Sequence, residues 1–173
     1  MLNTRKYPIG IQTFSEIINN GYVYVDKTDL VWQLAHYAKY IFLSRPRRFG
    51  KSLLTTTLAS YFRGERELFE NLKIMDLEQE WQKYPVIRLD LSGAKHMPPA
   101  QIREELNNIL APYEKSYDEN PREITPGMRL GGLIDRAYEQ TGKQVAVIID
   151  EYDAPLLDVL HEDTMLKEVR EVM

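Results

Sequence analysis

The sequence contains no cysteine among its 173 residues, which excludes disulfide bridges and metal sites built from thiolates. It has no apolar run long enough to cross a bilayer, and residues 1–10 show no signal-peptide pattern. A cytoplasmic protein that does not enter a membrane is the expectation that follows. The three histidines, His36, His96 and His161, stand in unrelated contexts and show no spacing typical of metal ligands.

Neither sign of charge is in large excess, because the formal net charge is −4. This balance argues against a surface built as a whole for nucleic acid. The content of 43% hydrophobic and 28% charged residues is that of a soluble globular protein with the length of one domain.

Runs typical of strands alternate with helical patterns along the chain. The patterns predict strands at residues 22–25, 40–43, 86–91 and 145–150, and helices at about 30–38, 51–63, 99–113, 128–141 and 156–173. This alternation predicts an α/β fold with right-handed crossovers, in which helices cover both faces of a mainly parallel sheet. Residues 145–150 are the most apolar stretch and predict a fully buried strand.

A basic turn between the second strand and the helix at residue 51 ends in Gly50, Lys51 and Ser52. The first amides of a helix and its positive dipole end suit a phosphate, and Gly50 lets the backbone approach it closely. Lys51 can reach the β- and γ-phosphates, and the Ser52 hydroxyl can ligate Mg²⁺. The pattern G-x-x-x-x-G-K-[ST] lacks its first glycine, where Arg45 stands. The alternative interpretation is a basic turn followed by a capping serine.

The whole turn is assigned to nucleotide contact, with Lys51 also catalytic. Its residues are Arg45, Pro46, Arg47, Arg48, Phe49, Gly50, Lys51, Ser52 and Leu53. Proline stiffens the turn, and its arginines suit phosphates, a neighbouring subunit, nucleic acid or simply solvent.

Asp150 and Glu151 follow the apolar run at residues 145–150, which is the Walker B pattern. A carboxylate at the carboxyl end of a central strand lies where open parallel sheets bind ligands. Asp150 is therefore the expected Mg²⁺ ligand together with Ser52, and Glu151 is the expected general base. The alternative is that the pair merely ends a core strand. The two motifs together predict Mg²⁺–ATP as the ligand, with the amides of residues 50–52 and the Asp150 carboxylate close to one anion.

Four strings give the chain a family resemblance. They are Tyr-Val-Asp-Lys-Thr at 24–28, Arg-Pro-Arg-Arg-Phe-Gly-Lys-Ser at 45–52, Tyr-Phe-Arg-Gly at 61–64 and Ile-Asp-Glu-Tyr-Asp-Ala-Pro-Leu at 149–156. The chain resembles the bacterial AAA-ATPase-like domain family, which also starts its phosphate loop without glycine. The resemblance implies a hydrolase that cleaves ATP with Glu151 as an extra catalytic glutamate. It also implies longer relatives, often with a C-terminal nuclease-like domain. For residues 24–28 a structural role is expected, with packing near the nucleotide base as the alternative.

The resemblance implies a three-layer P-loop NTPase core, with residues 1–38 as a lead segment and 39–173 as a partial ATPase domain. In that branch a later strand, which carries a sensor residue, lies between the phosphate-loop strand and the Walker B strand. Met173 falls inside the helix before that strand, so we expect a core truncated after Walker B. A small or gapped sheet, a homo-oligomer through the free edge and slow turnover are the expectations. The alternatives are a nucleotide-binding module without turnover and a nucleic-acid-associated protein that uses Arg45, Arg47 and Arg48.

Overall fold

The computed structural model describes residues 6–46, 48–157 and 159–173. The chain divides into two compact units, Met1–Tyr84 and Pro85–Met173. The boundary between residues 38 and 39 that the sequence suggested stays a prediction. Within the described part of the chain, no helix combines the length and the apolar character that crossing a bilayer requires.

Helices make up the regular structure described in the first unit. They are α1 (Phe14–Asn19), α2 (Thr28–Tyr37), α3 (Lys51–Phe62) and two short 3-10 helices, Arg66–Phe69 and Lys73–Asp76. Phe14 and Phe69 are fully buried, with ring centroids 4.8 Å apart. Val31 of α2 and Tyr61 of α3 join the same cluster, and burying a large apolar side chain stabilises the fold by about 1.5–3 kcal/mol. The predicted helices at 30–38 and 51–63 are confirmed.

Threonine hydroxyls fix the position of α3. The Thr56 hydroxyl accepts a hydrogen bond from the Phe14 amide at 3.1 Å and lies 2.9 Å from the Gln12 carbonyl oxygen, to which it can donate. The Thr57 hydroxyl donates to the Leu53 carbonyl one turn earlier at 2.7 Å. The helix that begins at the phosphate loop is therefore tied to the segment that leads into α1.

The string at 24–28 ties α2 to the second 3-10 helix. Thr28 is fully buried, and its hydroxyl donates to Asp26 Oδ1 at 2.7 Å and accepts from the Ile74 amide at 3.0 Å. Asp26 Oδ2 accepts from the Lys73 amide at 2.8 Å. Burial raises the pKa of Asp26, but hydrogen bonds from Thr28 and Lys73 outweigh burial and hold that pKa below its usual range. These contacts are structural, as the sequence predicted for this string.

Parallel strands form the centre of the second unit. Its elements are β1 (Val86–Asp90), a 3-10 helix (Ser92–Ala94), α4 (Pro99–Tyr117), α5 (Pro126–Thr141), β2 (Ala146–Asp150), α6 (Ala154–Leu157) and α7 (Asp163–Val172). β1 pairs with β2 in a two-stranded parallel sheet, with Val86 opposite Ala146 and Asp90 opposite Asp150. The predicted parallel pairing and the helical connection between these strands are confirmed.

Helices α4 and α5 cover one face of β1 and protect its outer edge. Leu110 of α4 and Leu133 of α5 are buried against Ile87 and Leu89, which share a face because side chains alternate along a strand. The Tyr113 hydroxyl lies 2.9 Å from the amide nitrogen of Arg88 and 3.0 Å from its carbonyl oxygen. A side chain thereby occupies the position of a further strand at this edge.

A buried ion pair joins α4 to α5. Arg129 Nε donates to Glu114 Oε1 at 2.8 Å, and Arg129 Nη2 donates to Glu114 Oε2. The hydrogen bonds from Arg129 hold the pKa of Glu114 below its usual range, although burial raises it. The fork geometry fixes how the two helices align over β1.

Two predicted strands are wrong. Residues 22–25 and 41–46 have no regular secondary structure. In the first of these ranges, the Tyr22 amide donates to the Ile17 carbonyl and the Val23 amide donates to the Lys6 carbonyl. Phe42 is 71% exposed. A strand needs a neighbour for its amides and carbonyls, and local propensity does not supply one.

The prediction of a fully buried strand at 145–150 is also wrong in part. Ile148 and Asp150 are buried, but Val147 and Ile149 are 38% and 47% exposed. In the described sheet, the buried residues that α4 and α5 cover on this face belong to β1, so the same face of β2 remains accessible.

Replacing Thr28 with valine tests its structural role. Valine keeps the volume but removes the acceptor of the buried Ile74 amide, which should lower the free energy of unfolding by about 1–3 kcal/mol. Urea unfolding measures the loss, and hydrogen exchange at Ile74 should speed up. Thr13→Val, at an exposed threonine whose side chain caps no helix, should change stability by less than about 0.5 kcal/mol. Equal stability of Thr28→Val and the wild type would contradict the assignment.

Glu114 predicts a pH dependence of stability. Because its pKa is lower in the folded chain than the ordinary 4.5, its stabilisation is complete above that value and is lost as pH falls through the lower folded value. Glu114→Gln should therefore be less stable than the wild type at neutral pH, by about 1–3 kcal/mol. The difference should shrink in urea unfolding at progressively lower pH. A difference that grows on acidification would refute the sign.

Candidate functional site

The backbone turns sharply at Gly50, immediately before α3. Gly50 has φ 74° and ψ 26°, in the left-handed region that glycine adopts without strain, and it is the N-cap residue of the helix. The first helical hydrogen bond runs from the Leu54 amide to the Gly50 carbonyl at 3.0 Å. The amides of Lys51, Ser52 and Leu53 thus belong to the helix's first turn, where no carbonyl partner exists within the helix.

Positive charge gathers at this end of α3. The first turn carries no acidic residue, so no side chain of that turn offsets the positive end of the helix dipole. Arg45, Arg48 and Phe49 are exposed, and Lys51 and Ser52 are partly buried. The predicted contact residue Arg47 lies outside the described residues. This end of the helix is suited to an anion with several oxygens.

The carboxyl ends of β1 and β2 bring Asp90 and Asp150 together, because these residues face each other in the parallel register. Asp150 is 3% exposed. Arg88 lies between the two carboxylates, with its Nη2 3.0 Å from Asp90 Oδ2 and 3.3 Å from Asp150 Oδ2. The predicted metal ligand Asp150 is therefore the buried member of an ion triad.

Asp90 is held in place by the turn that follows β1. Its Oδ1 accepts from the Ser92 amide at 3.1 Å and from the Ser92 hydroxyl at 2.7 Å. Burial raises the pKa of Asp90, but these bonds and the Arg88 guanidinium outweigh burial and keep that pKa below its usual range. Sequence reasoning missed Arg88 and Asp90; their i, i+2 spacing on a strand was the available signal, since it places both on one face.

Glu151 adopts a left-handed backbone directly after β2. Its φ is 51°, a conformation that costs an L-residue other than glycine roughly 1–2 kcal/mol. The Glu151 carbonyl accepts from the Ala154 amide at 2.9 Å, which closes a turn that redirects the chain into α6. Strained backbone of this kind concentrates at functional positions.

The residues at the strand ends suit a hard cation only in part. Within the described part of the chain, no group of three or more histidine or carboxylate side chains is arranged to hold a metal ion. Asp150 supplies one carboxylate, and Mg²⁺ is usually bound through one or two carboxylates while phosphate oxygens and water complete its coordination. The residues present therefore fit Mg²⁺ best when a nucleotide supplies further ligands, and they offer a weak site to a metal ion alone.

The predicted residues form two groups. Gly50, Lys51 and Ser52 lie at one helix end in the first unit, and Asp150 and Glu151 lie at one strand end in the second unit. The first group lies at a helix N-terminus, and the second lies at the carboxyl end of a parallel strand. Their joint action on one ligand stays a prediction.

Comparison with known proteins gives one family and one relative. A family model with the description Predicted AAA-ATPase matches residues 8–173. The chain is similar to a protein of Azotobacter chroococcum mcd 1 named "Uncharacterized protein in vnfD 5'region", with 36% identity over 171 residues, which are 98% of this chain and 33% of the relative. The chain thus spans about a third of the length of the curated relative it matches. No solved structure matches the chain.

Substitution of Glu151 tests its backbone strain. At ordinary positions alanine is more stable than glycine, but at φ 51° the order should invert. We expect Glu151→Gly to exceed Glu151→Ala in free energy of unfolding by about 1 kcal/mol. For the same pair of substitutions at Glu139, an exposed position within α5, the alanine variant should be the more stable. Chemical denaturation of the four variants measures their free energies of unfolding. An alanine variant that is more stable than the glycine variant at both positions would contradict the backbone strain at Glu151.

Proposed function

Because the chain belongs to the AAA-ATPase-like family of predicted AAA-ATPases, we propose that it binds Mg²⁺–ATP and hydrolyses its γ-phosphate. The observation that carries the proposal is the left-handed Gly50, which lets a twelve-residue helix begin at Lys51, so that the positive end of the helix dipole lies at the loop, where phosphate oxygens bind. Gly50, Lys51 and Ser52 follow one another there in the order of a phosphate loop.

The loop residues divide the work of binding. The amides of residues 50–53 donate hydrogen bonds to phosphate oxygens, and Lys51 adds a point charge toward the β- and γ-phosphates. Arg45 and Arg48 contribute positive charge at the exposed rim of the turn. Together these groups position the triphosphate and favour the charge that develops on its oxygens during transfer.

The strand ends supply the metal ligand and the base. Ser52 and Asp150 would hold Mg²⁺, whose charge stabilises the developing negative charge on the phosphates when it is bound. Glu151 would orient a water molecule and take its proton, from its position in the turn at φ 51° that directly follows β2. The proposal requires Lys51 and Asp150 to act on the same nucleotide.

The proposed core is the three-layer sheet of a P-loop NTPase, of which β1 and β2 are two neighbouring strands. Two observations support this. Residues 41–43 are apolar yet exposed, and Val147 and Ile149 of β2 are exposed on a strand that the described sheet pairs on one side. Further strands beside residues 41–43 and beside β2 would pair with the backbone of each and reduce the exposure of these side chains. The chain spans about a third of the relative's length, so the relative is long enough to supply such a strand.

Two substitutions test the proposal in the 173-residue chain. Lys51→Ala should weaken binding of a fluorescent ATP analogue by about 10–100-fold, because it removes a charged hydrogen bond. Glu151→Gln should leave binding within about threefold and lower phosphate release by about 10²–10⁴-fold, because glutamine cannot accept the proton of the attacking water. Chelation of Mg²⁺ should abolish release.

Matched controls are Lys115→Ala and Glu139→Gln, at exposed positions of α4 and α5, which should behave as the wild type. Analogue binding that is unchanged by Lys51→Ala would remove the phosphate-loop assignment. Binding that depends on Lys51 with release that does not depend on Glu151 would identify a nucleotide-binding module without turnover.

A further inference from the structure

We propose that Arg88 and Asp90 set the metal affinity of Asp150. Arg88 competes with the cation for the Asp150 carboxylate, and Asp90 is the alternative acceptor that draws Arg88 away. The inference rests on the proposed function, in which Asp150 is a metal ligand. Arg88 and Asp90 are positioning residues in this scheme.

The geometry gives Arg88 two alternative anchors. Its Nη2 lies 3.0 Å from Asp90 Oδ2 and 3.3 Å from Asp150 Oδ2. The carboxylates face each other in the strand register, so one guanidinium reaches both without a change in the backbone. A planar group with five N–H donors can move between these oxygens through side-chain torsions alone.

The two carboxylates differ in their need for Arg88. The Asp150 side chain is 3% exposed, whereas that of Asp90 is 42% exposed. A buried carboxylate is costly without a positive partner, so Arg88 stabilises Asp150 in the absence of metal. Solvent and the two hydrogen bonds from Ser92 to Oδ1 stabilise the charged form of Asp90, and its Oδ2 contacts the guanidinium. Asp90 therefore already contacts Arg88 in the absence of the cation.

A divalent cation at Asp150 changes the balance. The guanidinium and the cation repel each other, and at a site of low exposure this repulsion is weakly screened. Either Arg88 moves toward Asp90 or the metal binds poorly. The affinity for the cation thus depends on a competition in which loss of the Arg88 charge raises the affinity and loss of the Asp90 charge lowers it.

The test is a Mn²⁺ titration of the full chain without nucleotide, followed by paramagnetic broadening of the amide signals of residues 90–92 and 150–152. Arg88→Met keeps the length of the side chain but removes its charge, and it should lower the midpoint by about tenfold. Asp90→Asn removes the alternative anchor and should raise the midpoint by about tenfold. Arg88→Lys, which keeps the charge, should stay within about threefold of the wild type.

Controls of equal charge change are Arg103→Met and Asp135→Asn, at exposed positions of α4 and α5, which should shift the midpoint by less than about twofold. If the two residues had only a structural role, Arg88→Met and Asp90→Asn would shift the Mn²⁺ midpoint in the same direction, and that result would overturn the inference. Asp90→Asn changes a half-exposed side chain, so it tests the sign even where Arg88→Met does not fold.

A second titration separates this inference from the proposed function. The Mg²⁺ concentration for half-maximal binding of a fluorescent ATP analogue should follow the same order across the variants. If the variants bind the nucleotide but their Mg²⁺ midpoints do not follow this order, only the inference is overturned. If the Mn²⁺ midpoints follow the order but the chain binds no nucleotide, the proposed function is overturned and the roles of Arg88 and Asp90 are supported. Absence of broadening at these residues in every variant would overturn the inference.

Discussion

The parallel register between β1 and β2 is the constraint on which the second unit depends. Parallel strands in register end at the same edge, so Asp90 and Asp150 meet there without any loop that directs them. The register also brings Arg88 to the two carboxylates, which gives a nearly fully buried aspartate a positively charged partner. The Tyr113 hydroxyl occupies the outer edge of β1, whereas apolar side chains of β2 stay accessible on one face of the sheet. The pairing of β1 with β2 thus explains the ion triad at the strand ends.

In the first unit, the candidate phosphate-binding residues lie at the start of a helix. A glycine in the left-handed region ends the preceding turn and lets α3 begin at Lys51, and an aromatic core together with threonine hydroxyls holds this helix against α1. The aligned peptide dipoles place roughly half a positive charge at that helix end. The proposed anion site is thus formed by the turn and the start of the helix. The buried hydrogen bonds of Thr28 show that the string at residues 24–28, which is part of the family resemblance, stabilises the same unit.

Local features were predictable from the sequence, and features that depend on partners were not. The start of α3, the glycine before it and the strand that ends at Asp150 follow from periodicity and composition over a few residues. The strand predicted at residues 40–43 failed because a strand exists only beside another strand. The roles of Arg88 and Asp90 could not be predicted from the sequence, because their contact with Asp150 depends on the register between β1 and β2. The left-handed backbone of Glu151 has no sequence signal, since this conformation is uncommon for glutamate.

The central claim is that one nucleotide joins the helix start and the strand ends. A crystal of the chain grown with Mg²⁺ and a non-hydrolysable ATP analogue tests it most directly. The account predicts phosphate density against the amides of residues 50–52, with a metal ion at about 2.0–2.1 Å from Ser52 Oγ and the Asp150 carboxylate beside it. Nucleotide bound elsewhere, or Lys51 and Asp150 on opposite sides of the molecule, would contradict the account.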